Sequence, residues 1–200
     1  MKILIAGDTH GNLAHWRYLI NTAHEARIRT IVQVGDFGYW EHMPEGVQFL
    51  DRLERTLALD PDGIQIHFLD GNHDKTSLLI DKYDAEQYLN PDGSIKIRSH
   101  INYLPRGLRW TWGDTRFIAL GGAYSLDKEW RLQLEKRGSG KPERYWFPEE
   151  EMTDVDMGQI LLDSTPVDVM LAHDKPRASN PMWNRKTDAL CLPNQDRLQL

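Results

Sequence analysis

The sequence predicts an α/β fold, with short strands alternating with amphipathic helices. Three observations carry that reading. Short β-branched apolar runs occupy residues 3–6, 30–34 and 64–69. Apolar residues at helical spacing fill the gaps between them. Farther along, paired runs flank Gly113-Asp114 and read as a hairpin that begins an additional sheet.

The run at 3–6 is almost continuously apolar, which predicts a strand buried on both faces. Behind it, Leu13, Trp16, Leu19, Ile20 and Ala23 mark one face of a helix, with Asn12 available as its N-cap. Pro44 opens a second helix carrying Val47, Leu50, Leu53 and Leu57. A third helix is expected over 75–85, and NPDG at 90–93 is turn chemistry. Residues 110–112 and 115–120 are the hairpin strands. The charged stretch 127–144, which contains GSGKP, reads as a surface excursion. Thr153 with Asp156 resembles a capping box opening a helix through Leu162. A further buried strand is expected at 167–172, ending in His173-Asp174. Residues 193–200 look like the opening turns of an amphipathic helix interrupted by the end of the chain. No repeat, linker or low-complexity tract divides the sequence, so one domain over 1–200 is expected, with a C-terminal truncation.

The 200 residues are 40% hydrophobic and 27% charged, a globular composition. A net charge of -6 disfavours a nonspecific grip on nucleic acid, although a local basic groove would be compatible with it. The single cysteine, Cys191, excludes an internal disulfide framework and fits a reducing compartment. The N-terminus turns polar too soon for a signal peptide and no apolar run is long enough to span a bilayer, so the expectation is cytoplasmic with no membrane partner.

Chemistry gathers where apolar runs stop. Asp8 and His10 follow the first run, Asp36 the second, Asn72 and His73 the third, and His173 the last. In open α/β sheets, sites form at the carboxyl ends of strands. Singly, each of these residues is ordinary turn chemistry; taken together and in order, they read as one site. Carboxylate, imidazole and amide oxygen suit Mn²⁺, Fe²⁺, Zn²⁺ or Mg²⁺, and the thiolates of a structural zinc site are missing. Glycines before Asp8, Asp36 and Asn72 are expected to let the backbone turn sharply. A carboxylate such as Asp36 can be shared by two ions roughly 3.5–4 Å apart. The other histidines stay outside this set, with His15 and His24 read as solvated. Tyr39, Trp40, Tyr124, Tyr145 and Trp146 suit a stacked aromatic ligand or, equally, core packing. Arg131 reads as a surface residue with a weaker claim on substrate phosphate.

GDTHG, GDFG, GNHD and LAHD resemble, in order, the first four motifs of the calcineurin-like metallophosphoesterases, over residues 3–176. GGAYSLDKEWR at 121–131 resembles a stretch of bacterial and phage members. The resemblance implies a four-layer α/β/β/α sandwich of two mixed sheets and a site for two divalent ions, Mn²⁺ favoured. Asp8 and His10 would hold the first ion, Asp36 would bridge, and Asn72 with His173 would hold the second. His73 would be the general acid, oriented by Asp74, while Asn12 and Asp174 would support the ligands. A metal-activated hydroxide would attack a small phosphodiester or phosphomonoester. GDFGYW lacks the longer GDxVDRG form of protein phosphatases, which favours phosphodiesters. The family's closing GHxH motif has no counterpart after His173, so missing C-terminal strands and one fewer protein ligand per ion are expected. The alternative is a non-catalytic metal-binding or interaction protein that retains the fold.

Overall fold

The computed structural model describes residues 1–83, 86–138, 145–176 and 196. Strands β1 (Leu4–Ala6), β2 (Thr30–Val34), β3 (Gln65–Leu69), β4 (Ile95–Lys96) and β5 (Ile101–Tyr103) form one sheet in the order β1-β2-β3-β5-β4. All neighbours are parallel except β4 against β5. The second sheet holds β6 (Arg109–Trp112), β7 (Thr115–Leu120) and β8 (Val169–Ala172). There β6 and β7 form the expected hairpin, and β8 joins β7 in parallel. The helices are α1 (Leu13–Ala26), α2 (Pro44–Ala58), α3 (Thr76–Tyr83), α4 (Lys128–Arg137) and α5 (Asp154–Leu162).

Strand pleating sorts the apolar residues into three seams, because successive side chains leave opposite faces of a sheet. Ile31, Ile66 and Phe68 pack against Trp16 and Leu19 of α1 and Leu50 and Leu53 of α2. Their neighbours Val32 and Leu69 meet Trp110, Phe117, Ala119 and Leu171 of the second sheet. Ile118 and Leu120, on the other face of β7, pack with Met157 of α5. Three seams separate four layers, helices outside and two mixed sheets inside, as the family resemblance implied. Local signals agree with this packing. Asn12 accepts from the amides of Ala14 and His15 at 3.0 and 3.1 Å, capping α1. Thr153 and Asp156 form the reciprocal capping box of α5.

Several expectations need correcting. Among the described residues β1 is an edge strand paired only with β2, Ile5 is 47% exposed, and burial on both faces does not hold. Residues 128–137 of the expected surface excursion form α4, and Arg131 within it is buried because Glu150 neutralises it. His24 is half-buried rather than solvated, with its ring nitrogens 2.6 Å from Asp60 and 2.6 Å from Asp62. The end of the third helix at 84–85, residues 139–144 with most of GSGKP, Cys191 and, Asp196 apart, the helix expected over 193–200 lie outside the described residues.

Candidate metal centre

Asp8 and His10 stand beyond the end of β1, Asp36 beyond β2, Asn72 and His73 beyond β3, and His173 beyond β8. The first three strands are parallel neighbours and β8 belongs to the facing sheet, so these residues meet at the top of the seam between sheets. The loops are tied to one another. Asp8 N–H donates to Gly35 O at 3.3 Å and His10 N–H to Asp36 O at 2.8 Å, extending the strand ladder into the turns. The buried Asp74 carboxylate accepts from the amides of Phe37, Gly38, Tyr39 and Gly71 at 3.0, 2.8, 2.7 and 2.9 Å. Asp74 thus fastens the second and third loops together through its own oxygens, and the partners of those oxygens are amides, not the His73 ring. Burial, together with the charge of Asp36, pushes its pKa up to about 6 against the pull of those amides.

The turns are sharp, though by a different route from the one expected. Asp8, His10 and Asp36 themselves adopt left-handed φ values of 49°, 42° and 56°. Each non-glycine residue in that region costs roughly 1–2 kcal/mol, strain that the tied loops sustain. Gly35 is also left-handed, and a Cβ there would overlap the His173 ring. Gly71 serves by its smallness alone, since a Cβ would collide with Asp36.

Asp36 faces two sets of donors. Its Oδ2 lies 3.6 Å from His10 Nε2, and ligand atoms of Asp8, His10 and Asp36 all fall within 4.8 Å of one another. Its Oδ1 lies 3.5 Å from His173 Nε2, which is itself 3.1 Å from Asn72 Oδ1. The His173 Nδ1 sits 2.9 Å from Val34 O, a carbonyl that can only accept, so Nδ1 carries a proton. In the neutral ring, Nε2 therefore turns its lone pair toward two oxygens. Three acceptors converging this way repel one another unless a cation or a proton lies among them. Burial lowers the His173 pKa, but Asp36 outweighs it and raises the value to about 9. Burial also works to raise the Asp36 pKa, yet His173 and His73 hold it below the usual carboxylate range. The donor set fits divalent cations, with a backbone carbonyl fixing the tautomer of one candidate ligand as metal-binding imidazoles require.

The two sides differ in access. Side chains of Asp8 and His10 are 70% and 43% exposed, whereas His173 is 12% exposed. His73 stands at the open side, its ring edge-on to His10 with centroids 5.2 Å apart. Its amide donates to Asp36 Oδ1 at 2.9 Å, and its carbonyl accepts from Trp40 Nε1. Burial lowers the His73 pKa, and Asp36 offsets this only in part.

Sequence reasoning missed what stands behind Asn72. The Asn72 Nδ2 donates to Ser125 Oγ at 2.8 Å, and Ser125 is held by Glu150 and Arg131. Arg131 is therefore no surface residue. Its guanidinium reaches Glu150 at 2.9 Å, the carbonyls of Asn72 and Tyr145, and Asp127 at 3.1 Å. The GGAYSLDKEWR stretch was the only available signal. Asn12 and Asp174 serve nearby backbone, Asn12 as the α1 cap and Asp174 by accepting from Lys175 N–H at 2.8 Å. Tyr39 is fully buried with its hydroxyl on Glu41, a core role. His24, Asp60 and Asp62 also come within 4.8 Å of one another. Both ring nitrogens there already face carboxylates, and the Asp62 hydrogen bond leads the raising of the His24 pKa, so this is an ion-pair cluster. A cavity of about 610 Å³ beside α3, lined by Ile80, Tyr103 and Arg106 among others, includes none of these site residues.

Two facing mixed sheets gather carboxylates, imidazoles and an amide oxygen at their strand ends, a donor set suited to divalent cations. The calcineurin-like phosphoesterase family model matches residues 1–199, and the chain belongs to that family. Its chemistry is metal-dependent hydrolysis of phosphate esters. A comparison with curated proteins returned no match. Among the described residues no helix is long and apolar enough to cross a membrane.

Proposed function

We propose that this protein hydrolyses small phosphodiesters at a site holding two divalent cations, Mn²⁺ foremost. The observation that carries the reading is Asp36, a buried carboxylate whose two oxygens face separate donor groups. Asp8 and His10 would hold one ion on the open side, and Asn72 and His173 the other on the buried side, with Asp36 shared. When bound, the cations supply Lewis-acid activation of water and neutralise charge on the phosphate. His73 delivers a proton to the leaving oxygen from its ring N–H. Burial holds the ring's pKa below its ordinary value, and an anionic substrate works in the opposite direction by favouring the protonated form. Asp74 acts by fixing the loops that carry Asp36 and His73. Because Arg131 is bound by Glu150 and Asp127, its guanidinium is not available to a second phosphate charge, which favours the singly charged diester over the doubly charged monoester. The composition and lone cysteine support a single-domain cytoplasmic enzyme.

The test is hydrolysis of bis-p-nitrophenyl phosphate against p-nitrophenyl phosphate, with added Mn²⁺ and again after chelation. Metal-dependent turnover with the diester ahead is expected. A metal-replete protein that cleaves neither would leave the non-catalytic reading standing.

A further inference from the structure

The Asn72 amide has two chemically different ends, and only its oxygen can serve as a metal ligand. Nothing in a terminal amide's shape decides which end points inward, so its hydrogen-bond partners must. Oδ1 faces His173 Nε2 at 3.1 Å, and Nδ2 faces Ser125 Oγ at 2.8 Å. A hydroxyl by itself would accept either orientation, since it can donate as well as accept.

Here the hydroxyl has no proton to spare. Ser125 Oγ donates its single hydrogen to Glu150 Oε2, and an ionised carboxylate can only accept. A second N–H reaches the same oxygen from Arg131. Glu150 also accepts from the Ser125 amide at 3.2 Å and from Arg131 Nη2 at 2.9 Å, which holds the loop against the carboxylate. Ser125, Glu150 and Arg131 are 1%, 1% and 3% exposed, so water does not compete for these bonds. A flipped Asn72 would set its carbonyl oxygen against a hydroxyl oxygen whose proton is committed elsewhere.

We infer that Ser125, Glu150 and Arg131 are positioning residues that lock the Asn72 amide with its oxygen turned into the metal site. The lock rests on the proposed role of Asn72 as a ligand, and it acts on the buried cation alone. The open-side group of Asp8, His10 and Asp36 does not depend on it.

The test compares wild type with Ser125→Ala and with Glu150→Gln, whose amide can donate to Ser125 and so release the hydroxyl proton toward Asn72. In metal-free protein, the side-chain NH₂ resonances of Asn72 report the lock directly. They should show a hydrogen-bonded, slowly exchanging pair in wild type that is lost in Ser125→Ala. In Mn²⁺ titrations, affinity at the second site should fall roughly 10–100-fold in Ser125→Ala, the usual effect of losing a ligand's partner. First-site affinity should stay within twofold, and Ser125→Thr, which keeps the hydroxyl, should restore the second. Unchanged Asn72 resonances in folded Ser125→Ala overturn the lock, as does equal weakening at both sites. Should Ser125→Ala fail to fold, unchanged Asn72 resonances and second-site affinity in Glu150→Gln overturn it instead. Wild-type protein that takes no second ion while the resonances respond as expected would refute the two-ion reading and leave the lock intact.

Discussion

Asp36 is buried and negatively charged, and among the described residues its partners are hydrogen-bond donors and two imidazoles. Burial of a carboxylate costs several kcal/mol unless positive charge answers it, which makes a cation the natural complement. Asp36→Asn keeps the shape and removes the shared charge. Calorimetric titration with Mn²⁺ should then show affinity lost on both sides, and normal uptake would remove Asp36 from the bridging position. His73 makes a different prediction, because only its backbone bonds to Asp36. His73→Gln should leave metal content intact and slow turnover by roughly 10²–10⁴-fold if the ring is the general acid. An unchanged steady-state rate would end that assignment. The six residues of this site were legible because each is polar and follows an apolar run, and all but His173 stand beside a glycine or another member of the set. Ser125, Glu150 and Arg131 were not, since a charged run looks solvated until a distant partner neutralises it.

Secondary elements show the same division. Helices α1, α2 and α5 announced themselves through caps, Pro44 and apolar spacing, all local signals. Strands β4 and β5 have two and three residues, too few for periodicity to register, and they exist because β3 and Asn90–Ser94 contacts hold them in place. The α5 capping box tests the local side of this division. Thr153→Ala removes an acceptor for the Asp156 amide and should cost about 1 kcal/mol in urea unfolding. Because α5 lies across the second sheet from the ligand loops, metal uptake should be unaltered in that variant. A loss of bound metal would show that α5 and the site are coupled.

For the molecule as a whole, the seam between the sheets sets an acid limit on stability. His67, on the inner face of β3, packs edge-on to Trp112 with ring centroids 5.0 Å apart, and its buried Nδ1 has no hydrogen-bond partner among the described residues. Burial lowers its pKa to about 4. The unfolded chain therefore binds a proton near pH 6.5 that the folded chain refuses until about pH 4. This contribution to stability is intact above pH 6.5 and is lost progressively as pH falls through that window, by on the order of 2–3 kcal/mol. His67→Leu should flatten the difference, and chemical denaturation at pH 7.0 and 4.5 would reveal it; equal pH dependence in both proteins would clear His67 of the effect.

The same seam carries the candidate metal site at its upper end, so the number of ions held there tests the account most directly. Bound Mn²⁺ per chain, measured by mass spectrometry of the metal after equilibration and removal of excess ion, should be two in wild type and fall below one in Asp36→Asn. One ion or none in folded wild-type protein would contradict a site organised around a shared Asp36.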